Sequence, residues 1–218
     1  MLNLYAHPLS SYCQKALVAL YENDTPFEFR MLDGTDPVAS EFAARWPIGK
    51  FPILTDGDAT IFDATSIIDY LAVAYPGPAR LIPDDPAAAV DVRMLDRFFD
   101  NYVNTPQQRI VFDFIREEGR HDAQTVAESR TMLDTAYAWL DARMAGRDWA
   151  AGQGFSLADC AAAPALLYAD WTHAIPERYG NLWAYRTRLL ARPSYARALD
   201  EARPYRHMFP LGAPVGRD

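Results

Sequence analysis

The stretch HPLSSYCQKALVAL, residues 7–20, decides the fold because it joins a strand to a helix through a short polar turn. The apolar residues 2–5 precede it and stop at His7 and Pro8, and apolar residues recur at helical spacing from Ser11 onward. The turn places two hydroxyls and a thiol in four residues, SSYC at 10–13, which a turn that only reversed the chain would not need. This pattern predicts a strand, a helix and a candidate site between them.

The following residues extend this unit into an α/β layer. Residues 27–32 alternate as a strand, and a small amphipathic helix is expected near residues 39–45. Two short strands within residues 51–62 flank an Asp-Gly pair that is typical of a hairpin, and residues 64–75 have helical spacing. The order strand, helix, strand, helix, strand, strand, helix predicts a compact α/β domain with a mixed sheet over residues 1–78.

A proline-rich connection separates this domain from a helical one. Proline and glycine recur between residues 76 and 86, as is typical of a linker between domains. From residue 87 to 218 the apolar residues keep a period near 3.6, which predicts an all-α domain. Within it, Ser156 and Asp159 have the spacing of a capping box at the start of a helix.

Composition excludes several classes of function. The 21 Lys and Arg against 29 Asp and Glu give a net charge of -8, so the basic surface of a nucleic-acid-binding protein is absent. The two cysteines, Cys13 and Cys160, form neither a disulfide framework nor a zinc motif, and no metal is expected. No basic leader and no apolar run of about 18 residues is found, so we expect a cytoplasmic protein without a membrane partner.

Three segments in this order resemble a cytosolic glutathione transferase of the serine type. They are the turn at Ser10, GKFP at residues 49–52 and FDATSIIDYLAVAYP at residues 62–76, and the linker, helical domain and capping box follow in the same order as in that family. The resemblance implies a thioredoxin-like N-terminal domain that binds glutathione as co-substrate. It also implies an all-helical C-terminal domain that contributes the pocket for a small hydrophobic electrophile, and a homodimer.

The resemblance places the reactive group in the first turn. Residues 10–13 resemble the C-P-Y-C turn of glutaredoxin-like proteins and the S-P-F-x turn of serine-type transferases, so Ser10 takes the position of the group that activates the thiol. Ser11 replaces the proline of that pattern, which leaves open which serine faces the thiol. Cys13 is a third candidate, although a thiol on the apolar side of a helix is more often a small buried hydrophobe. The turn chemistry alone favours a plain N-cap for Ser10, and the combined motif pattern of the whole chain favours the thiol-activating role; both roles can coexist.

The same resemblance supplies the glutathione-binding candidates. Pro52 resembles the family's cis-proline, and the backbone of Phe51 pairs with the cysteinyl unit. Lys50 is the candidate for the glycyl carboxylate, with a solvated loop lysine as the alternative, and Asp63 is the candidate for the γ-glutamyl amino group, with a plain helix cap as the alternative. Ala64 departs from the pattern because the family has a serine hydroxyl there; its backbone amide remains available to the γ-glutamyl carboxylate.

For the electrophile, family position indicates Tyr102, Gln107, Ile110 and Trp171. Pro106 is expected to kink or break the helix near Tyr102 and so to open one wall of an apolar pocket. The resulting hypothesis is a glutathione transferase that attacks an electrophile with a bound thiolate. Two alternatives remain: a glutathione-dependent reductase, lyase or isomerase that uses Cys13, and a binding protein that keeps the fold without turnover.

Overall fold

A computed structural model describes residues 1–152 and 154–217 of the chain. The strands and helices alternate first and are followed by helices alone. In chain order they are β1 (Leu2–Ala6), α1 (Ser11–Glu22), β2 (Phe27–Met31), α2 (Val38–Arg45), β3 (Ile53–Asp56), β4 (Ala59–Phe62), α3 (Ala64–Ala74), α4 (Pro86–Phe98), α5 (Thr105–Phe114), α6 (Ala123–Met144), α7 (Leu157–Thr172), α8 (Gly180–Leu190) and α9 (Pro193–Ala202). A π-helical segment, Phe99–Asn104, lies between α4 and α5, and a 3-10 segment, Arg203–Met208, follows α9.

The strands form a mixed sheet in the order β2-β1-β3-β4. β1 and β2 are parallel and are connected through α1, whereas β3 runs antiparallel to both β1 and β4. At the centre, Leu4 lies opposite Phe29 in β2 and opposite Leu54 in β3. This is the arrangement of a thioredoxin-like domain, and it confirms the predicted α/β class of the N-terminal part.

Helix α1 is buried between the sheet and the helical domain. Ser10 caps its start, since its hydroxyl oxygen accepts a hydrogen bond from the amide of Cys13 at 3.4 Å. On the side facing α7, the buried Gln14 donates to the carbonyl of Pro8 at 2.9 Å and to the hydroxyl of Tyr168 at 3.0 Å. These bonds satisfy a polar group that would be costly to leave unpaired, and they fix the turn at residues 7–10 against the helical domain.

Helix α7 forms the centre of the helical domain, and every residue from Leu157 to Trp171 is buried. Its predicted capping box is confirmed: one carboxylate oxygen of Asp159 accepts from the amide and the hydroxyl of Ser156, each at 2.9 Å. The other oxygen accepts from the amide of Ala150 at 2.9 Å and from the hydroxyl of Tyr185 at 2.6 Å. In the described part of the chain, the elements from Pro86 to Met208 are all helical, which confirms the all-α character of the C-terminal part.

The connection between the two parts is held by hydrogen bonds at both ends. Asn23, which follows α1, accepts from the amide of Ala79 at 2.8 Å and donates to its carbonyl at 3.2 Å. Leu157 donates its amide to the carbonyl of Leu81 at 2.8 Å. The linker is thus tied to α1 and to the start of α7, and one continuous apolar core extends from β1 to the helical domain.

Candidate functional site

A cleft of about 700 Å³ lies between the N-terminal α/β part and helices α4 and α5. It brings together segments that are far apart in sequence: the turn before α1, the loop before β3, the start of α3, and the helices after the linker. The described residues that line it are Ser10, Tyr12, Trp46, Ile48, Gly49, Lys50, Phe51, Pro52, Phe62, Asp63, Ala64, Arg97, Asp100, Asn101, Gln108 and Phe112. Its volume is within the usual range of small-molecule sites.

Ser10 lies in the wall of the cleft and caps α1 at the same time. Its backbone is extended, with φ -84° and ψ 126°, which turns the side chain back over the first amides of the helix. Accepting one hydrogen bond from Cys13 still leaves the hydroxyl proton of Ser10 able to be donated. A hydroxyl at a helix N-terminus is suited to stabilise an anion, because the helix dipole acts in the same direction.

The other two candidates of the turn lie in the protein interior. The side chain of Cys13 is fully buried, and burial raises the pKa of its thiol to about 12. Ser11 is 5% exposed and is not among the residues that line the cleft. The environment of Cys13 is therefore that of a small apolar residue. Of the four residues of this turn, Ser10 and Tyr12 line the cleft.

The loop before β3 supplies a second wall. The peptide bond between Phe51 and Pro52 is cis, as the resemblance implies, and Gly49 has a φ of 70°, which favours glycine. Lys50 is exposed and Phe51 is 39% exposed, so both reach the cleft surface. Trp46, which follows α2, stacks on Phe62 of β4 at a ring distance of 4.2 Å and widens this wall into an apolar surface.

Asp63 and Ala64 form the third wall at the start of α3. Asp63 has a φ of 71°, a left-handed conformation that is uncommon outside glycine and is often found at functional sites. Its carboxylate accepts from the amides of Thr65 at 2.9 Å and Ser66 at 3.2 Å, so it caps the helix as well as facing the cleft. Ala64 is 2% exposed and contributes no hydroxyl here.

The end of α4, the π-helical segment and α5 close the cleft with four residues that are not among those predicted from the sequence: Arg97, Asp100, Asn101 and Gln108. Tyr12 lies opposite them, and its pKa is raised by burial and by the nearby Asp100. Spacings of three or four residues among Arg97, Asp100 and Asn101 were the available signal, because they place polar side chains on one helix face. Such a polar helix face is usually exposed to solvent, so it indicates a ligand site only when another part of the chain is known to lie opposite it.

The four predicted electrophile-pocket residues lie outside this set. Gln107 and Ile110 are each 4% exposed and face the interior, where Gln107 donates to Asn104 at 2.8 Å. Trp171 is 8% exposed and packs on Phe209. Tyr102 is 48% exposed and packs on Phe98.

A π-helical segment lies in this part of the chain. In place of the predicted break near Tyr102, the chain continues through the π-helical segment Phe99–Asn104, and Pro106 lies in the first turn of α5, where a missing amide is tolerated. A π-helical turn contains more residues than an α-helical turn, so it rotates the following side chains relative to a regular helix. Asn101 and Gln108 line the cleft, whereas their neighbours Tyr102 and Gln107 do not.

Family models match most of the chain. Residues 4–79 match the model of the glutathione S-transferase N-terminal domain, and residues 90–193 match that of the C-terminal domain. None of the helices in the described part of the chain combines the length and apolar character needed to cross a bilayer.

Individual relatives agree with these matches. A glutathione S-transferase of Hypomyces subiculosus, hmp2, is 26% identical over 93% of this chain and 100% of its own length. A probable maleylacetoacetate isomerase of Vibrio cholerae is 25% identical over 92% of this chain and 96% of its own. The crystal structure of a glutathione S-transferase from Methylobacillus flagellatus with glutathione bound superposes with a TM-score of 0.82 at 25% identity, covering 91% of this chain and 98% of that one.

Proposed function

Since the chain belongs to the glutathione S-transferase family, we propose that it conjugates the thiolate of glutathione to small apolar electrophiles. The observation that carries the proposal is the meeting of Ser10, the cis Phe51–Pro52 bond and Asp63 in one cleft, although they come from three separate segments. In the relative from Methylobacillus flagellatus, glutathione is bound.

Ser10 is proposed to stabilise the thiolate. The thiol form of glutathione is a poor nucleophile at neutral pH, so a site that favours the anion accelerates attack. A hydrogen bond from the Ser10 hydroxyl to a charged sulfur is worth about 1.5 to 3 kcal/mol, which corresponds to a decrease of about one to two units in the thiol pKa. The dipole of α1 adds about 0.3 to 1 kcal/mol in the same direction.

The remaining contacts follow the length of the tripeptide. We assign the backbone of Phe51, beside the cis Pro52, to the cysteinyl unit, and the ammonium of Lys50 to the glycyl carboxylate. We assign Asp63 to the amino group of the γ-glutamyl unit and the backbone amide of Ala64 to the carboxylate of the same unit. The electrophile then occupies the rest of the cleft, where Ile48, Phe62 and Phe112 offer apolar surface and Tyr12, Asn101 and Gln108 offer hydrogen bonds.

A homodimer is part of the proposal. One face of α4 carries apolar side chains at four-residue spacing: Val90 is 66% exposed, Met94 is 54% exposed, and Phe98 follows. Tyr102 and Trp139 extend this face, since their rings lie 5.6 Å and 4.5 Å from that of Phe98. A contiguous exposed apolar surface of this kind marks a protein contact, and a second copy of the chain would cover it.

The two free cysteines are consistent with a reducing, cytoplasmic environment.

A glutathione-dependent isomerase is the second candidate, because the relative from Vibrio cholerae is named as a probable maleylacetoacetate isomerase. The same thiolate would add to the substrate and leave again, so no conjugate would accumulate. Incubation with an unsaturated dicarboxylic acid and analysis of the products separate the two reactions. A stable thioether supports the transferase, and a rearranged substrate with unchanged glutathione supports the isomerase.

The proposed function is tested first by binding. A ligand present at a hundred times its dissociation constant stabilises the native state by about 2.7 kcal/mol, so millimolar glutathione should raise the melting temperature. Ser10→Ala should then raise the pKa of the bound thiol by about one to two units, measured from the ultraviolet absorbance of the thiolate. Ser11→Ala is the matched comparison and should leave that pKa unchanged. No thermal shift, or an unchanged thiol pKa in Ser10→Ala, would contradict the proposal.

A further inference from the structure

A buried cluster of charges lies directly behind the cleft. Its members, from here on the Lys15 cluster, are Lys15 of α1, Thr65 of α3, and Asp96, Arg97 and Asp100 at the junction of α4 and the π-helical segment. The ammonium of Lys15 lies 2.6 Å from Asp96, 2.8 Å from Asp100 and 2.8 Å from the hydroxyl of Thr65. Arg97 contacts the same two carboxylates, Asp96 at 2.8 Å and Asp100 at 2.6 Å.

The two cations of the cluster differ in their access to solvent. Lys15 is 1% exposed, whereas the side chain of Arg97 is 46% exposed and lines the cleft. Among the described residues, the hydrogen bonds of Arg97 come from Nε and Nη2, which leaves Nη1 for a ligand in the cleft. Lys15 and Arg97 together balance the two buried carboxylates, so Arg97 does not have to neutralise both alone.

At the start of α3, the amide of Ala64 is the main group left to bind a carboxylate of the ligand. Ala64 has no hydroxyl, and the hydroxyl of Thr65 is already engaged, since it donates to Asp96 at 2.9 Å and accepts from Lys15 and Arg97. The amides of Thr65 and Ser66 donate to Asp63. Of the described residues that line the cleft, Lys50 and Arg97 carry the positive charges, and Lys50 is assigned to the other end of the peptide.

We propose that Arg97 binds the α-carboxylate of the γ-glutamyl group and so takes over the role of the hydroxyl that Ala64 lacks. This inference rests on the proposed binding of glutathione. Asp63 and Arg97 then present one negative and one positive group side by side, which matches the zwitterionic amino-acid end of the ligand. Lys15 acts as a positioning residue, because it holds Asp96 and Asp100 where they fix the guanidinium.

The test compares ligands that differ in a single group. Glutathione is compared with 4-aminobutyryl-Cys-Gly, which lacks the α-carboxylate, and with glutaryl-Cys-Gly, which lacks the α-amino group; dissociation constants are measured by calorimetry. The wild-type protein should bind the first analogue roughly 10- to 100-fold more weakly than glutathione. In Arg97→Gln that ratio should fall well below the wild-type value, to the part that the amide of Ala64 still supplies, whereas the penalty for the second analogue should stay as in the wild type.

Matched variants identify the cause of any change. Arg93→Gln removes another arginine of α4, one paired with Asp69 at 2.8 Å outside the cleft, and should keep all three affinities. Adding Ala64→Ser to Arg97→Gln should restore part of the lost affinity for glutathione, since the new hydroxyl serves the same carboxylate.

The outcomes separate this inference from the proposed function. If the wild-type protein binds glutathione but Arg97→Gln keeps the full wild-type penalty for the missing carboxylate, Arg97 does not bind that group and the inference is overturned. Loss of discrimination against the glutaryl analogue in Arg97→Gln would overturn it as well, because it would assign Arg97 to the amino group. Failure of the wild-type protein to bind glutathione contradicts the proposed function itself.

Discussion

The ammonium nitrogen of Lys15 lies 2.6 Å from a carboxylate oxygen of Asp96, and both side chains are closed to solvent, at 1% and 0% exposure. Burial on its own would lower the pKa of Lys15, but Asp100 and Asp96 outweigh it and raise that pKa above its usual value. Lys15 is therefore charged at neutral pH. It connects α1, whose first turn carries Ser10, to the junction of α4 and the π-helical segment.

Replacing Lys15 by Met should strongly destabilise the protein. The substitution leaves the buried carboxylates of Asp96 and Asp100 with Arg97 as their remaining cation, and removal of one partner of a buried ion pair typically costs about 3 to 5 kcal/mol. Urea denaturation at neutral pH measures the free energy of unfolding. Lys50→Met removes an exposed lysine instead and should change that free energy by no more than about 0.5 kcal/mol. Equal effects of the two substitutions would contradict the assigned role of the cluster.

The Lys15 cluster also shows where prediction from the sequence ended. Ser10, Lys50, Pro52 and Asp63 could be proposed because each belongs to a short segment of sequence that resembles a family motif. The structural role of Lys15 depends instead on its ion pairs with Asp96 and Asp100, some 80 residues away in sequence. A count of charges treats all three side chains as solvated groups. Tertiary contacts of this kind are not encoded in local spacing.

The helical wall of the cleft illustrates a second limit. The fold class could be predicted because the order of strands, linker and helices follows from hydrophobic periodicity. Which side of α5 faces the cleft depends on the rotation introduced by the π-helical segment Phe99–Asn104. The electrophile candidates came from family position, which does not show this rotation, and Tyr102 and Gln107 stand one position from Asn101 and Gln108, which line the cleft.

Cys13 should be inert in the native protein. Burial raises the pKa of its thiol to about 12, so the thiolate is almost absent at pH 8, and the side chain is fully enclosed. Iodoacetamide at pH 8 should leave Cys13 unmodified in the folded protein and alkylate it after unfolding in urea, as read by mass spectrometry of peptides. Cys13→Ala should retain conjugating activity. A mixed disulfide between native Cys13 and glutathione would instead support the reductase alternative.

The apolar face of α4 should be covered in solution. Met94→Glu places a charge in the middle of that face, where Met94 is 54% exposed in the isolated chain, and should shift the protein from dimer to monomer. Analytical ultracentrifugation measures the mass. Met208→Glu is the matched control, because Met208 is 52% exposed in the 3-10 segment after α9, and it should leave the mass unchanged. A wild-type protein that sediments as a monomer would refute the proposed dimer.

Stability in acid should depend on Glu22 at the end of α1. Arg192 donates two hydrogen bonds to its carboxylate, at 2.8 Å and 2.6 Å, and Ser194 contacts it as well. Burial on its own would raise the pKa of Glu22, but these hydrogen bonds outweigh it and lower the pKa below the usual value. The carboxyl group therefore binds a proton less readily in the folded than in the unfolded chain.

The stabilisation by this pair is accordingly complete above the pKa of glutamate in an unfolded chain, about 4.3, and is lost as the pH falls through the lower pKa of the folded state. Glu22→Gln should cost about 1 to 3 kcal/mol at pH 7, and the difference from the wild type should shrink steadily below about pH 4. Urea denaturation across this range measures both curves. Arg197 and Glu201 form an exposed pair at 3.1 Å on the neighbouring α9, so Glu201→Gln should give a smaller and flatter difference. A difference between wild type and Glu22→Gln that stays constant down to pH 3 would show that the charge of Glu22 does not stabilise the junction of α1 and α9.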